Sequence, residues 1–186
     1  MKPSSLKLII CTAFMLFAYK LKAQDYVIKA NGDSVACTIN KPLIGAMKYQ
    51  PNGSGGYEKI TPETIKEYYI AKRNNMQHSV MMSKHSKPVF MTVIEKGKIN
   101  LYELIVTMYT GTMTTESKTW YASKGEGEVI ELKTSSLFLG TSKQKRKDEL
   151  ADMFMDNNDV YNKYQAEDKF SFNQIRLLVH LYNTGK

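Results

Sequence analysis

Apolar and polar positions alternate with a period of two along most of the chain up to about residue 140, and a helical period takes over after that. The densest apolar stretch runs from Pro88 to Tyr109. In its first strand Phe90, Thr92 and Ile94 fall on one face and Val89, Met91 and Val93 on the other. A turn at Lys96-Gly97 follows. The second strand puts Ile99, Leu101, Glu103 and Ile105 on one face and Tyr102, Leu104 and Val106 on the other. A strand apolar on both faces belongs inside a sheet that is covered on both sides along part of its length. The pattern therefore predicts this hairpin as the centre of the core.

The flanking segments predict further short strands. Asp25 to Ile39 reads as a hairpin turning at Asn31-Gly32, either as a two-residue turn or as a bulged three-residue loop. Met47–Gln50 reads as a strand, and Pro51–Gly56 as a solvated glycine loop with no phosphate-binding signature. Thr61-Pro62 predicts the cap and first position of a single helical turn. Lys66–Lys72 resumes a strand pattern, Arg73–Gln77 reads as a loop, Val80–Ser83 as a short strand and Thr110–Ser117 as a polar loop. Lys118–Ser123 and Glu128–Lys133 predict a last hairpin through Lys124–Gly127. Repeated short strands with frequent turns argue for antiparallel pairing.

Beyond Leu139 the spacing predicts helices. Thr141 or Ser142 opens one that runs to about Met155. Asp159–Ala166 forms a short second one. Ser171 and Gln174 make a capping box for the last, with Phe170 and Ile175 placed as its hydrophobic staple. The fold class is thus α+β: a mostly antiparallel sheet, as a curled sheet or partly open barrel, followed by two to three C-terminal helices packed on it. Residues 24–186 read as one domain, β-rich over 24–140 and helical over 141–186.

Residues 1–23 read as a signal peptide: a basic leader, then the apolar run Leu8–Tyr19, too short for a span of roughly 20 residues. Cleavage is expected after Ala23, with Ala18 as the weaker alternative. Cys11 lies inside the apolar run, which argues against a lipoprotein. The leader holds Lys2, Lys7, Lys20 and Lys22 and no acid, so its removal brings the formal charge from +8 to +4. That balance gives no sign of nucleic-acid binding. The remainder keeps a single cysteine, Cys37, so an intrachain disulfide is impossible, and its strand pattern marks it as a small buried hydrophobe. The expected destination is export through the Sec pathway to the periplasm, the outer-membrane surface or the exterior.

Chemistry-bearing patterns are few. Outside the leader the histidines are His78, His85 and His180, and no Gly-x-Ser-x-Gly, His-Glu-x-x-His or Cys-x-x-Cys occurs. No catalytic residues and no cofactor are assigned. A glycosidase needs only two carboxylates and so leaves no motif. Met76–His85 concentrates soft ligands: His78, Met81, Met82 and His85 are weak candidates for a copper(I) site, although strand parity separates them. Lys143, Lys145, Arg146 and Lys147 form a basic run at a helix start, mostly a solvated face, with peripheral contact to an anionic surface as the sharper alternative.

Asp25-Tyr-Val-Ile-Lys-Ala-Asn-Gly-Asp-Ser-Val35, Ile60-Thr-Pro-Glu-Thr-Ile65, Lys96-Gly-Lys-Ile-Asn-Leu-Tyr102 and Leu178-Val-His-Leu-Tyr-Asn183 resemble segments of a loose group of exported Bacteroidota proteins of unknown function. The resemblance implies an exported sheet-plus-helix domain and carries no site residues with it. The function expected from all of this is a non-enzymatic cell-envelope binding or interaction module, with a protein, glycan or envelope component as partner. A periplasmic copper-binding protein is the alternative, and an unrecognised hydrolase the second.

Overall fold

The computed structural model describes residues 24–42, 45–83, 85–135, 141–167 and 169–186. The leader and its expected cleavage position lie outside the described residues. Among the described residues ten strands make one open antiparallel sheet: β1 (Tyr26–Lys29), β2 (Ser34–Asn40), β3 (Lys48–Pro51), β4 (Glu58–Lys59), β5 (Ile65–Ile70), β6 (Asn75–Val80), β7 (Val89–Glu95), β8 (Ile99–Thr110), β9 (Met113–Lys124) and β10 (Ile130–Thr134). Their order across the sheet is β10-β9-β8-β7-β6-β5-β1-β2-β3-β4, so β8 and β7 do fall in the interior. Three helices follow, α1 (Lys143–Phe154), α2 (Asn158–Ala166) and α3 (Phe172–Thr184). The α+β architecture is the one the periodicity predicts.

Each helix begins where a side chain takes up an otherwise orphaned N–H. Ser142 accepts from the Lys145 N–H, Asn157 from Val160 and Ser171 from Gln174. The Gln174 side chain does not close the capping box. It donates to Glu167 Oε2 at 3.1 Å instead. Gly185, at φ +72°, ends α3 in the left-handed conformation that glycine adopts without steric penalty.

The helices cover the β8–β10 end of one sheet face. Ile99, Leu101, Trp120, Ala122 and Leu132 from the sheet meet Leu150, Phe154, Val160, Ile175, Leu178 and Val179. Asn183 fixes the register of this packing. Its side-chain carbonyl accepts from the Ile99 N–H at 2.9 Å, and its amide donates to the Ile99 carbonyl at 2.8 Å. Gly97 sits against the same side chain: a Cβ there would come within 2.5 Å of Asn183. Cys37 is buried with Val27, Tyr49, Ile60, Ile65 and Tyr68 in a second cluster, and burial pushes its thiol up to about 11. A third cluster, Val80, Met82, Met91 and Tyr102, forms on the sheet face opposite the helices.

The expected single helical turn at Thr61–Thr64 is present, closed by the Ile65 N–H on the Thr61 carbonyl at 2.9 Å, and it is not continued into a helix. Three other local expectations change. β6 begins at Asn75, inside the expected loop, and ends at Val80, where a further strand was expected. Thr110–Ser117 is strand except for the turn at Gly111-Thr112, because its Thr-rich run pairs residue by residue with β8 from Thr110↔Met113 to Ile99↔Lys124. Threonine suits a pleated ribbon. Its hydroxyl made the run read as loop.

The expected double-sided cover also stops short. β7 pairs with β8 only through Glu103, and residues 105–109 are exposed. The outer half of the β8–β9 hairpin thus projects past its neighbours as a two-stranded arm.

Candidate functional site

The sheet face opposite the helices carries a buried ion network. β5 pairs with β1 and β6 so that Glu67 lies between Ile28 and His78 across the strands. Its carboxylate is 3% exposed. The Tyr26 hydroxyl donates to Oε1 at 3.1 Å, the Lys96 ammonium to Oε2 at 2.7 Å, and His78 Nδ1 lies 3.4 Å from Oε2. An ionised carboxylate out of water is costly unless donors and counter-charge surround it. Burial pushes the Glu67 carboxyl up. The donors His78, Lys96 and Tyr26 and the Lys96 charge outweigh that and hold it at about 2. Tyr26 responds in the opposite sense: burial, then the charge of Glu67, pushes its hydroxyl up to about 12. The group is therefore a fixed anion clamped by donors.

Around this network lies a groove of about 540 Å³. Its walls include Val80, Val93, Tyr102 and Val129, with Lys66 and Glu126 among its polar residues. The His78 ring stacks on Tyr102 at 5.8 Å between centroids, interplanar angle 19°. Tyr102 in turn is held up in pKa by burial. Such a groove offers an aromatic and aliphatic surface, polar groups fixed in direction, and the exposed cations Lys66 and Lys96. That is the composition of a site for a partly apolar molecule.

The four candidate metal ligands divide. His78 and Met81 line the groove, whereas Met82 and His85 line a separate cavity of about 180 Å³ beside Tyr121, Glu131 and Lys145. Met82 is buried in the third cluster and Met81 is exposed. His78 commits Nδ1 to Glu67. Among the described residues no three His, Cys, Asp or Glu side chains converge as a metal site.

The basic run divides as well. Arg146 turns inward to Glu131 at 2.8 Å with its side chain 12% exposed. Lys145 lies 3.7 Å from Glu149 one turn on, and Lys143 is exposed. Among the described residues no helix is long and apolar enough to cross a membrane.

Sequence reasoning did not single out Glu67. Its donors stand 11, 29 and 41 positions away, and the only local signal is a carboxylate in the middle of a tyrosine-rich strand. Neither a protein-family model, nor a curated protein, nor a solved structure matches the chain.

Proposed function

We propose that this chain is an exported, non-enzymatic binding module of the cell envelope, with the groove over Glu67 as its binding surface. The observation that carries the reading is the groove itself: walls of mixed apolar and polar side chains around an anion whose charge Lys96 already balances. A ligand meets preformed polar directions there without having to compensate a buried charge. Export rests on the sequence of the leader, and the group of exported proteins that the chain resembles is consistent with it. The hydrolase reading is weaker at this site. A general acid needs a carboxyl raised toward the working pH, and Glu67 is held at about 2.

The test is capture from solubilised envelope on the immobilised chain. Lys66→Glu and Met81→Arg alter the groove wall at exposed positions without touching the core. The reading expects a component retained by the parent and lost from both variants. Retention by neither parent nor variants, or retention indifferent to both substitutions, refutes it.

A further inference from the structure

The projecting arm is chemically unlike the rest of the surface. From Leu104 to Thr115 it contains no charged residue, although charged residues make up 24% of the chain. Ile105, Val106, Met108, Tyr109 and Met113 are all exposed, Tyr109 by 78%. They lie on both faces of the ribbon, so the exposure is not the solvent side of a one-sided sheet. An uncharged, apolar strand edge of this kind is a template for another strand.

The two edges of the arm differ. Gly111 at φ +59° opens a two-residue turn of the II′ type, flanked by the pair Thr110↔Met113. A pair flanking such a turn exchanges hydrogen bonds across the ribbon, and the pattern alternates from there. The N–H and C=O groups of Tyr109, Thr107 and Ile105 therefore point outward from β8, as do those of Thr114, Glu116 and Lys118 from β9. Two bonds agree with this parity: the Ser135 N–H donates to the Lys118 carbonyl at 2.8 Å, and the Lys118 N–H to Ser135 Oγ at 2.9 Å. The β9 edge is thus occupied at Lys118 and guarded by the charge of Glu116. Among the described residues nothing pairs with the β8 edge from Ile105 to Tyr109, and that edge carries no charge.

We propose that a second copy of this chain pairs with the β8 edge, the two arms running antiparallel about a two-fold axis at Met108. Backbone parity and sterics select this register. An axis at Thr107 would push the partner's turn onto Glu103, whose outer edge is taken by Thr92 of β7. An axis at Tyr109 leaves only the Tyr109 pair bonded. The axis at Met108 sets Thr107 against the partner's Tyr109 and the reverse, giving about four new backbone hydrogen bonds. Met108 meets its own copy. No like charges are opposed, and each arm shields part of the other's apolar surface. A closed two-fold pair of this kind uses the same strip on both molecules.

The experiment is sedimentation of the chain across a concentration series from low micromolar to millimolar, with symmetric disulfide trapping. Met108→Cys, in a Cys11→Ser background, places two thiols across a non-hydrogen-bonded pair, where Cα separations suit a disulfide. It is expected to cross-link about tenfold faster than Thr114→Cys on the guarded edge. Buried Cys37 serves as the unreactive control. Thr107→Pro removes an outward N–H and leaves the bonds to β9 intact. Thr107→Lys adds an edge charge at an exposed position. Both are expected to abolish the dimer while keeping the parent's circular dichroism. A monomer at every concentration, equal trapping at Met108→Cys and Thr114→Cys, or a dimer that survives both Thr107 substitutions overturns the proposal. A monomer that partitions onto phosphatidylcholine vesicles through the arm overturns it in favour of a lipid surface.

Discussion

Replacing Glu67 with glutamine tests the central network because the side chain keeps its volume and loses its charge. In the native protein the carboxyl is lowered from 4.5 to about 2. That difference corresponds to roughly 3 kcal/mol of native stability at neutral pH. Lys96 is 58% exposed, so salt screens its contribution, and the expected loss in Glu67→Gln is nearer about 2 kcal/mol. The sign follows from the direction of the shift. A carboxyl lowered on folding stabilises the native state above its unfolded value and loses that contribution as pH falls through its folded value. The gap between parent and variant should be widest at neutral pH and should close as pH falls from 4.5 to about 2. Urea unfolding reports it through Trp120, the single tryptophan, which is buried in the helix-covered core. Lys96→Met should lose less than Glu67→Gln, because Tyr26 and His78 still face the carboxylate. The double variant should lose less than the sum. A neutral-pH gap of zero, or one that persists unchanged below the window, would refute a structural anion at Glu67.

Asn183→Ala should cost about 1–3 kcal/mol by stranding the backbone groups of Ile99, which is fully buried. Gly97→Ala should cost a similar amount by displacing the same side chain, and a double-mutant cycle in urea should show the two effects overlapping. Phe154→Ala empties the space between Tyr164 and Tyr182 and should cost about 3–5 kcal/mol. Ile105→Ala on the arm should change monomer stability by less than about 0.5 kcal/mol, and equal losses at the two sites would contradict the arm's exposure. Copper(I) uptake should be the same in the parent and in a His78→Ala, His85→Ala double variant, since the two rings line different cavities. A tight site lost with the histidines would restore the soft-metal reading.

Periodicity by itself determined the sheet-then-helix order, the faces of β7 and β8, the start of the last helix at Ser171 and that of the first to within Thr141 or Ser142. Each of these depends on residues within a turn or a strand of one another, where side-chain direction and backbone capping leave a local trace. Whether Thr110–Ser117 is loop or strand was not legible, because a threonine run fits either until β8 lies beside it. The Glu67 network was hidden for a related reason. Its four side chains come from β1, β5, β6 and the turn after β7, and only the neighbouring of β1 with β5 brings them together. The length over which the central hairpin is covered was also a tertiary decision. β7 and the helices run out before β8 does, so the same alternation that buries Ile99 and Leu101 leaves Ile105 and Tyr109 in the open. Apolar alternation specifies a strand, and the reach of its neighbours specifies which part of it becomes core.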